Sequence, residues 1–313
     1  MSLLAKLRFF PTSFALRLRI ASARKLLGGE FCWHAFAALG IPGFGTELIR
    51  LDFPPDLTIA PDWAPVRAQL ALILNQGRTV QLSLLDACLT RAGDLRSWPD
   101  HPDSERPSAP WLKNEFLTEL DMAILYGMLL HVRPDCYLEV GSGISTRIAA
   151  MARQTSGANI RIVSIDPQPR VEVAQICDEM HRRRLEESVE DVLAGISPKS
   201  ILFFDGSHRS FPGSDVTMFF LSLLPRLPRG VIVHIHDIYL PDDYPPNFRS
   251  RFWSEQYLLA AWLLGGSRKI RVLLPAAMLA QDDQARACLR QRLSPVPAGS
   301  SHLGSSFWFE IAD

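Results

Sequence analysis

Residues 136–146 read CYLEVGSGIST, and the reading of this stretch decides the reading of the chain. A short apolar run ends at Gly141, a second glycine follows at 143, and residues 144–153 then space their apolar side chains as a helix does. Strand, glycine bend and helix in that order form the repeating unit of a parallel α/β sheet. Gly141 and Gly143 permit a tight bend and close approach of a ligand, and the helix behind them offers free N–H groups to a polar or anionic group. The dinucleotide pattern G-x-G-x-x-G requires a third glycine where this chain has Thr146, so the match to it is partial.

Working outward, residues 116–130 carry one helical apolar face, which Arg133-Pro134-Asp135 breaks. Downstream, apolar runs at 159–165, 200–204 and 231–235 read as strands, with a weaker one at 184–189. Helices are expected at 171–180, 215–224 and 253–264, the last closed by Gly265-Gly266. Runs at 270–274 and 306–311 complete seven strands, with no crossover helix legible between them. The expected fold is α/β: a Rossmann-like, doubly wound, mostly parallel seven-stranded sheet with an antiparallel C-terminal hairpin. Residues 1–110 read as a mainly helical N-terminal extension. It ends in the Pro-, Ser- and charge-rich linker 93–110, and 111–313 form the α/β domain.

The 33 basic residues balance 33 acidic ones, which argues against a protein that follows nucleic-acid backbones. Five scattered cysteines with no Cys-x-x-Cys pair suggest neither a disulfide framework nor a zinc site, so a cytoplasmic location is expected. Residues 1–30 are the exception to the even charge. Six basic residues among leucines and phenylalanines make this segment a candidate for peripheral contact with the inner membrane surface, or a helix packed on the body with a solvated basic face.

In an open parallel sheet, ligands bind beyond the carboxyl ends of the strands. Those ends carry Glu139-Val-Gly-Ser-Gly143, Asp166, Asp205-Gly-Ser-His208 and His236-Asp237. Asp166 lies about 25 residues after the glycine bend, where a carboxylate accepts hydrogen bonds from ribose hydroxyls. His208, just past its strand, is a candidate general base. His234 shares a strand face with His236 and reads as a buried core histidine.

With these residues the chain resembles the class I S-adenosylmethionine-dependent methyltransferases. The acid two residues before G-x-G and the acid after the second strand fall where that family binds its cofactor. The stretch DGSHRSFPGSDVTMFFLSLLPRLPRGVIVHIHDI resembles the DGxH…D…HD branch of the methyltransferase 24 type. The resemblance covers residues 111–311 and implies a cofactor site of Glu139, Gly141, Ser142, Gly143, Thr146, Asp166 and Asp205. It also implies catalytic roles for His208 and His236, and a divalent metal, Mg, held by Asp205, His236 and Asp237. Glu190 and Asp191 are candidates for the adenine contact, and Trp111, Lys113 and Asn114 for an approach from above. The activity implied is O-methylation of a small molecule or a sugar or glycan hydroxyl. The alternatives are an NAD-dependent oxidoreductase or epimerase, which lacks support from a Tyr-x-x-x-Lys pair, and a non-catalytic interaction module.

Overall fold

A computed structural model describes residues 62–169, 172–266, 269–293 and 304–312, with the side chains of Asn247 and Arg249 excepted. The basic segment 1–30 lies outside the described residues. Among the described residues two helices come first, α1 (Ala64–Leu74) and α2 (Arg78–Leu89). Next come α3 (Glu119–Val132), β1 (Cys136–Val140), α4 (Ile144–Ser156), β2 (Arg161–Ile165) and β3 (Glu179–His181). After α5 (Val189–Gly195) the chain runs through β4 (Ser200–Phe204), α6 (Asp215–Met218) and β5 (Ile232–Ile235). It finishes with α7 (Glu255–Leu264), β6 (Ile270–Pro275), α8 (Ala276–Leu279), α9 (Asp283–Arg292) and β7 (Phe307–Ile311).

The strand order is β3-β2-β1-β4-β5-β7-β6. β1 to β5 pair in parallel, and β7 lies antiparallel to both β5 and β6. The chain winds from β1 through β2 to β3 on one side, then returns to place β4 on the other flank of β1. Between the carboxyl ends of β1 and β4 lies the switch point where such a sheet opens a ligand crevice.

Local chemistry explains the elements that frame this crevice. The Thr118 side chain accepts from the Asp121 amide to start α3, which ends on Arg133 in the left-handed region (φ 48°) just before Pro134. All five residues of β1 are buried, as expected for a central strand covered on both faces. The alternation is strict: Tyr137 and Phe203 pack on the α3–α4 face, while Leu138, Val140, Leu202 and Phe204 pack on the opposite one.

Three expectations are corrected. Residues 171–180 form no helix among the described positions. The third strand is Glu179–His181, and 185–187 make a 3-10 turn instead of a strand. Two helices, α8 and α9, fill the connection between β6 and β7, and the Asp282 side chain caps the second by accepting from the Gln284 and Ala285 amides. Residues 60–313 form one compact unit. α2 sends Leu85, Cys88 and Leu89 into the same core as α3, and Trp98 of the expected linker joins them. Gly127 of α3 lies so close to the backbone of Cys88 that a Cβ would meet its carbonyl oxygen at 2.3 Å, so these two helices depend on a glycine for their contact.

Candidate active site at the switch point

The glycine bend is locked against the neighbouring strand. Gly141 has φ +85°, and a Cβ there would meet the Asp205 carbonyl oxygen at 2.1 Å. The Asp205 amide donates to the Val140 carbonyl, and the Gly141 amide to that of Ile165. These bonds draw the ends of β1, β2 and β4 together. Asp166 accepts from both the amide and the hydroxyl of Ser142, each at 2.9 Å, and from the Gln168 amide at 2.8 Å. Beside this bend opens a cleft lined by residues 141–145, Asp166 and Asp205, with Phe116, Leu117 and Phe203 as apolar walls. Trp111, Lys113, Asn114, Glu190 and Asp191 do not line it. Asn114 acts one step removed, its side-chain oxygen accepting from the amides of Phe116 and Leu117.

Glu139 does not line the cleft either, and its expected direct grip on a ligand is revised. Strand alternation turns it to the α3–α4 face, where it is fully buried. Four hydroxyls enclose it, from Tyr137 (3.2 Å), Ser145 (2.8 Å), Ser164 (2.5 Å) and Thr146. Burial pushes its carboxyl up to about 7 against the pull of those hydroxyls. Thr146 in turn accepts from the Gly143 amide at 3.0 Å. Glu139 and Thr146 therefore hold the bend from behind.

At the ends of β4 and β5 the arrangement is ionic. Asp205, His208 and Asp237 bring one ligand-type atom each within 4.8 Å of one another. His208 and Asp237 adopt φ of +63° and +56°, costly for residues with a side chain and typical of functional sites. Asp215 accounts for the D-G-x-H…D spacing. It accepts from the Ser207 amide (2.7 Å) and hydroxyl (2.5 Å), and a Cβ on Gly206 would meet its carboxylate at 2.3 Å.

Sequence reasoning missed two buried carboxylates behind this cluster. Glu255, in the first turn of α7, contacts His208 Nδ1 at 2.6 Å. Asp121 of α3 lies 3.5 Å from His236 Nε2 and accepts from the amides of Ser305 and Ser306. Both are 0% exposed, so neither is a surface acid. Burial alone would lower His208, but Glu255, then Asp205 and Asp237, raise it to about 9. Burial likewise opposes the charge of His236, and Asp237 and Asp121 outweigh it and raise its pKa. Burial would raise Asp121, yet His236 and the neighbouring hydroxyls bring it down to about 2. His208, the candidate general base of the sequence, thus lies among three carboxylates that favour its charged form. His234, stacked 4.0 Å from Trp308 and bonded to Ser306, is the buried core histidine expected.

Fold and crevice together define a class I methyltransferase architecture, a seven-stranded sheet in which β7, lying between β5 and β6, alone runs against the other six strands. Residues 138–238, which contain every strand-end acid named above, match the family model of a methyltransferase domain. No curated protein matches. Among solved structures, the SAH-bound methyltransferase PaMTH1 of Podospora anserina is similar at 16% identity over 73% of this chain and 88% of that one, TM-score 0.40. Cofactor-bound Rv0187 from MTB is similar at 15% identity over 61% and 81%, TM-score 0.34. MycE of the mycinamycin biosynthetic pathway, solved with Mg, SAH and mycinamycin VI, is similar at 14% identity over 57% and 45%, TM-score 0.34.

Proposed function

We propose that the chain is an S-adenosylmethionine-dependent methyltransferase that methylates a hydroxyl oxygen of a small molecule or glycan. The observation that carries this reading is the position of Asp205, which lines the glycine-bend cleft and also belongs to the ionic cluster at the end of β5. Donor and acceptor chambers therefore share a wall, as in-line transfer requires. The donor half fits an adenosyl ligand in its chemistry. Asp166 offers a partly exposed carboxylate at the end of β2, the bend presents no side chain at Gly141 and Gly143, and Phe116, Leu117 and Phe203 supply apolar surface. Glu139 and Thr146 act as positioning residues that fix the bend.

The methyl sulfonium is already electrophilic, so the residues around it need only align the acceptor and take up its proton. Asp205 and Asp237 are the carboxylates placed to receive that proton, while His208 and His236 contribute positive charge beside the developing oxyanion. A divalent ion held here would supply Lewis-acid stabilisation and lower the pKa of the acceptor hydroxyl.

The even charge balance supports an acceptor other than nucleic acid. No described helix is long and apolar enough to cross a membrane. A cytoplasmic enzyme is the reading that the free thiols of Cys88, Cys136, Cys177 and Cys288 support. The test is incubation with isotopically methyl-labelled S-adenosylmethionine and a panel of catechols, phenols and sugars, followed by mass spectrometry. The expected result is an alkali-stable methyl ether on one acceptor class. Transfer only to nitrogen or carbon acceptors would contradict the oxygen assignment.

A further inference from the structure

The loops that follow β4 and β5 are zipped together beside the ionic cluster. The Ser254 amide donates to the His208 carbonyl at 2.8 Å, and the Ser210 amide donates to the Ser254 hydroxyl at 2.8 Å. Half-buried Arg209 adds a third tie, its Nε donating to the Arg251 carbonyl at 2.8 Å. Two guanidinium groups, those of Arg209 and Arg251, are thereby set on the rim next to His208. Elsewhere on the surface arginines pair with acids, as Arg161 does with Glu179 and Arg226 with Glu190. Among the described residues neither Arg209 nor Arg251 shares an ion pair with an acid.

Arg251 is nevertheless held in one place. Its guanidinium carbon lies 4.6 Å from the Phe248 ring centroid and 5.0 Å from that of Trp253. Trp253 in turn stacks on the His208 imidazole, with centroids 4.2 Å apart. Phe252 between them has φ +53°, a conformation costly for a residue with a side chain, and Arg251 reaches the ring of Trp253 across this kink. A guanidinium stacked by its face keeps its N–H edge open, and that planar fork matches a carboxylate or a phosphate. Because stacking already restrains the side chain, an anion that pairs with it loses less affinity to ordering. The charge also reaches the site. Burial, then Asp237 and Asp121, push the Tyr239 phenol up, and Arg251 opposes them. Arg251 and Asp237 thus act on one and the same group from within electrostatic range.

We propose that Arg251 and Arg209 form an anion subsite on the acceptor side of the crevice, so that the acceptor is a hydroxyl compound carrying a carboxylate or a phosphate. The inference rests on the methyltransferase reading for the identity of the ligand as acceptor, whereas anion binding at the two arginines does not depend on it. The acceptor hydroxyl would meet Asp205 and Asp237 while its anionic group pairs with the guanidinium beyond Trp253. Asp121, Asp205, Asp237 and Glu255 gather at this end of the crevice and would repel such an acceptor unless cations at the rim received it. A neutral sugar gains little from the arginine pair, whereas a charge-assisted bidentate bond favours the anionic compound over its neutral counterpart. Arg251 is therefore a specificity-determining residue.

The experiment uses the full chain, with and without S-adenosylhomocysteine. 4-Fluorobenzoate and its neutral counterpart 4-fluorobenzamide are titrated separately and followed by 19F line broadening, with inorganic phosphate as competitor. The benzoate is expected to bind at least about 10-fold more tightly than the amide, the scale of one charge-assisted pair. Arg251→Gln should bring that ratio down to about 2 or less, and Arg251→Lys, which keeps the charge but loses the fork, should leave it in between. Displacement of the benzoate by phosphate extends the subsite to phosphate-bearing acceptors; benzoate that phosphate does not displace assigns it to carboxylates. Equal affinity for benzoate and benzamide, or a preference that survives in the Arg209→Gln, Arg251→Gln double variant, would overturn the proposal and leave the two arginines as counterweights to the acids. S-adenosylhomocysteine is titrated into the same preparations. If it binds while the benzoate preference is absent, the anion subsite is refuted and the methyltransferase reading stands; if the preference is present and the nucleoside does not bind, the reverse holds.

Discussion

The two halves of the crevice are built on different principles. The half beneath β1 and β2 is almost neutral, made of a glycine bend, its backbone, Ser142 and one carboxylate open to the cleft, Asp166. The half beneath β4 and β5 gathers Asp121, Asp205, Asp237 and Glu255 around two imidazoles. The first recognises by shape and a few hydrogen bonds, and the second is an electrostatic device. Such a division suits a reaction in which one reactant arrives charged and activated and the other must be made nucleophilic.

The contrast predicts where substitutions act. The largest effect belongs to the ionic half. Asp121→Ala leaves His236 charged and buried and strips the Ser305 and Ser306 amides of their acceptor, so unfolding free energy in urea should fall by about 3–5 kcal/mol. A loss below about 1 kcal/mol would mean that the pair is not ionised.

Glu139 sharpens the comparison from the neutral side. Its carboxyl rises from the ordinary 4.5 to about 7 in the folded protein, so between those limits the native state holds a proton that the unfolded chain has released. Stability therefore falls as pH rises through this window. At about 1.4 kcal/mol per pH unit, the contribution reaches about 3 kcal/mol once Glu139 is fully ionised. Glu139→Gln cannot ionise, so the wild type should lose stability relative to this variant between about pH 4.5 and 8, measured by denaturation at each pH. Parallel curves for the two proteins would show that the four hydroxyls fully offset burial.

Binding effects in the neutral half are smaller. Asp166→Ala should weaken S-adenosylhomocysteine by about 30-fold, the loss of about 2 kcal/mol of charge-assisted hydrogen bonding. Ser142→Ala, which removes only the hydroxyl that orients Asp166, should cost about 5-fold or less, near 1 kcal/mol. If Ser142→Ala matched Asp166→Ala, the serine would be contacting the ligand itself.

The same contrast explains what could be read in advance. Glycines at a strand end, period-2 apolar runs and a spaced aspartate are local signals, so the neutral half was legible from residues 136–166 alone. The ionic half was legible only in part. Asp205, His208, His236 and Asp237 sit at strand ends, but Glu255 reads as an ordinary first-turn acid of a helix. Its role depends on a contact 47 residues away in sequence. Asp121 is likewise a first-turn acid, joined to Ser305 across 184 residues. Side-chain direction was the other blind spot. Glu139 precedes the bend as a ligand-binding acid would, yet alternation along β1 turns it into the hydroxyl cage. β3 escaped notice because it has three half-buried residues and no apolar run. α9 escaped because DQARACLRQR buries only Ala285 and Leu289.

The central claim is that the cleft between β1 and β4 is a site for the adenosyl donor. Calorimetric titration of the full chain with S-adenosylhomocysteine and, separately, with NAD tests it most directly. Micromolar binding of the first with a stoichiometry of one, and no heat from the second, is the predicted outcome. Binding of NAD with no response to S-adenosylhomocysteine would contradict it.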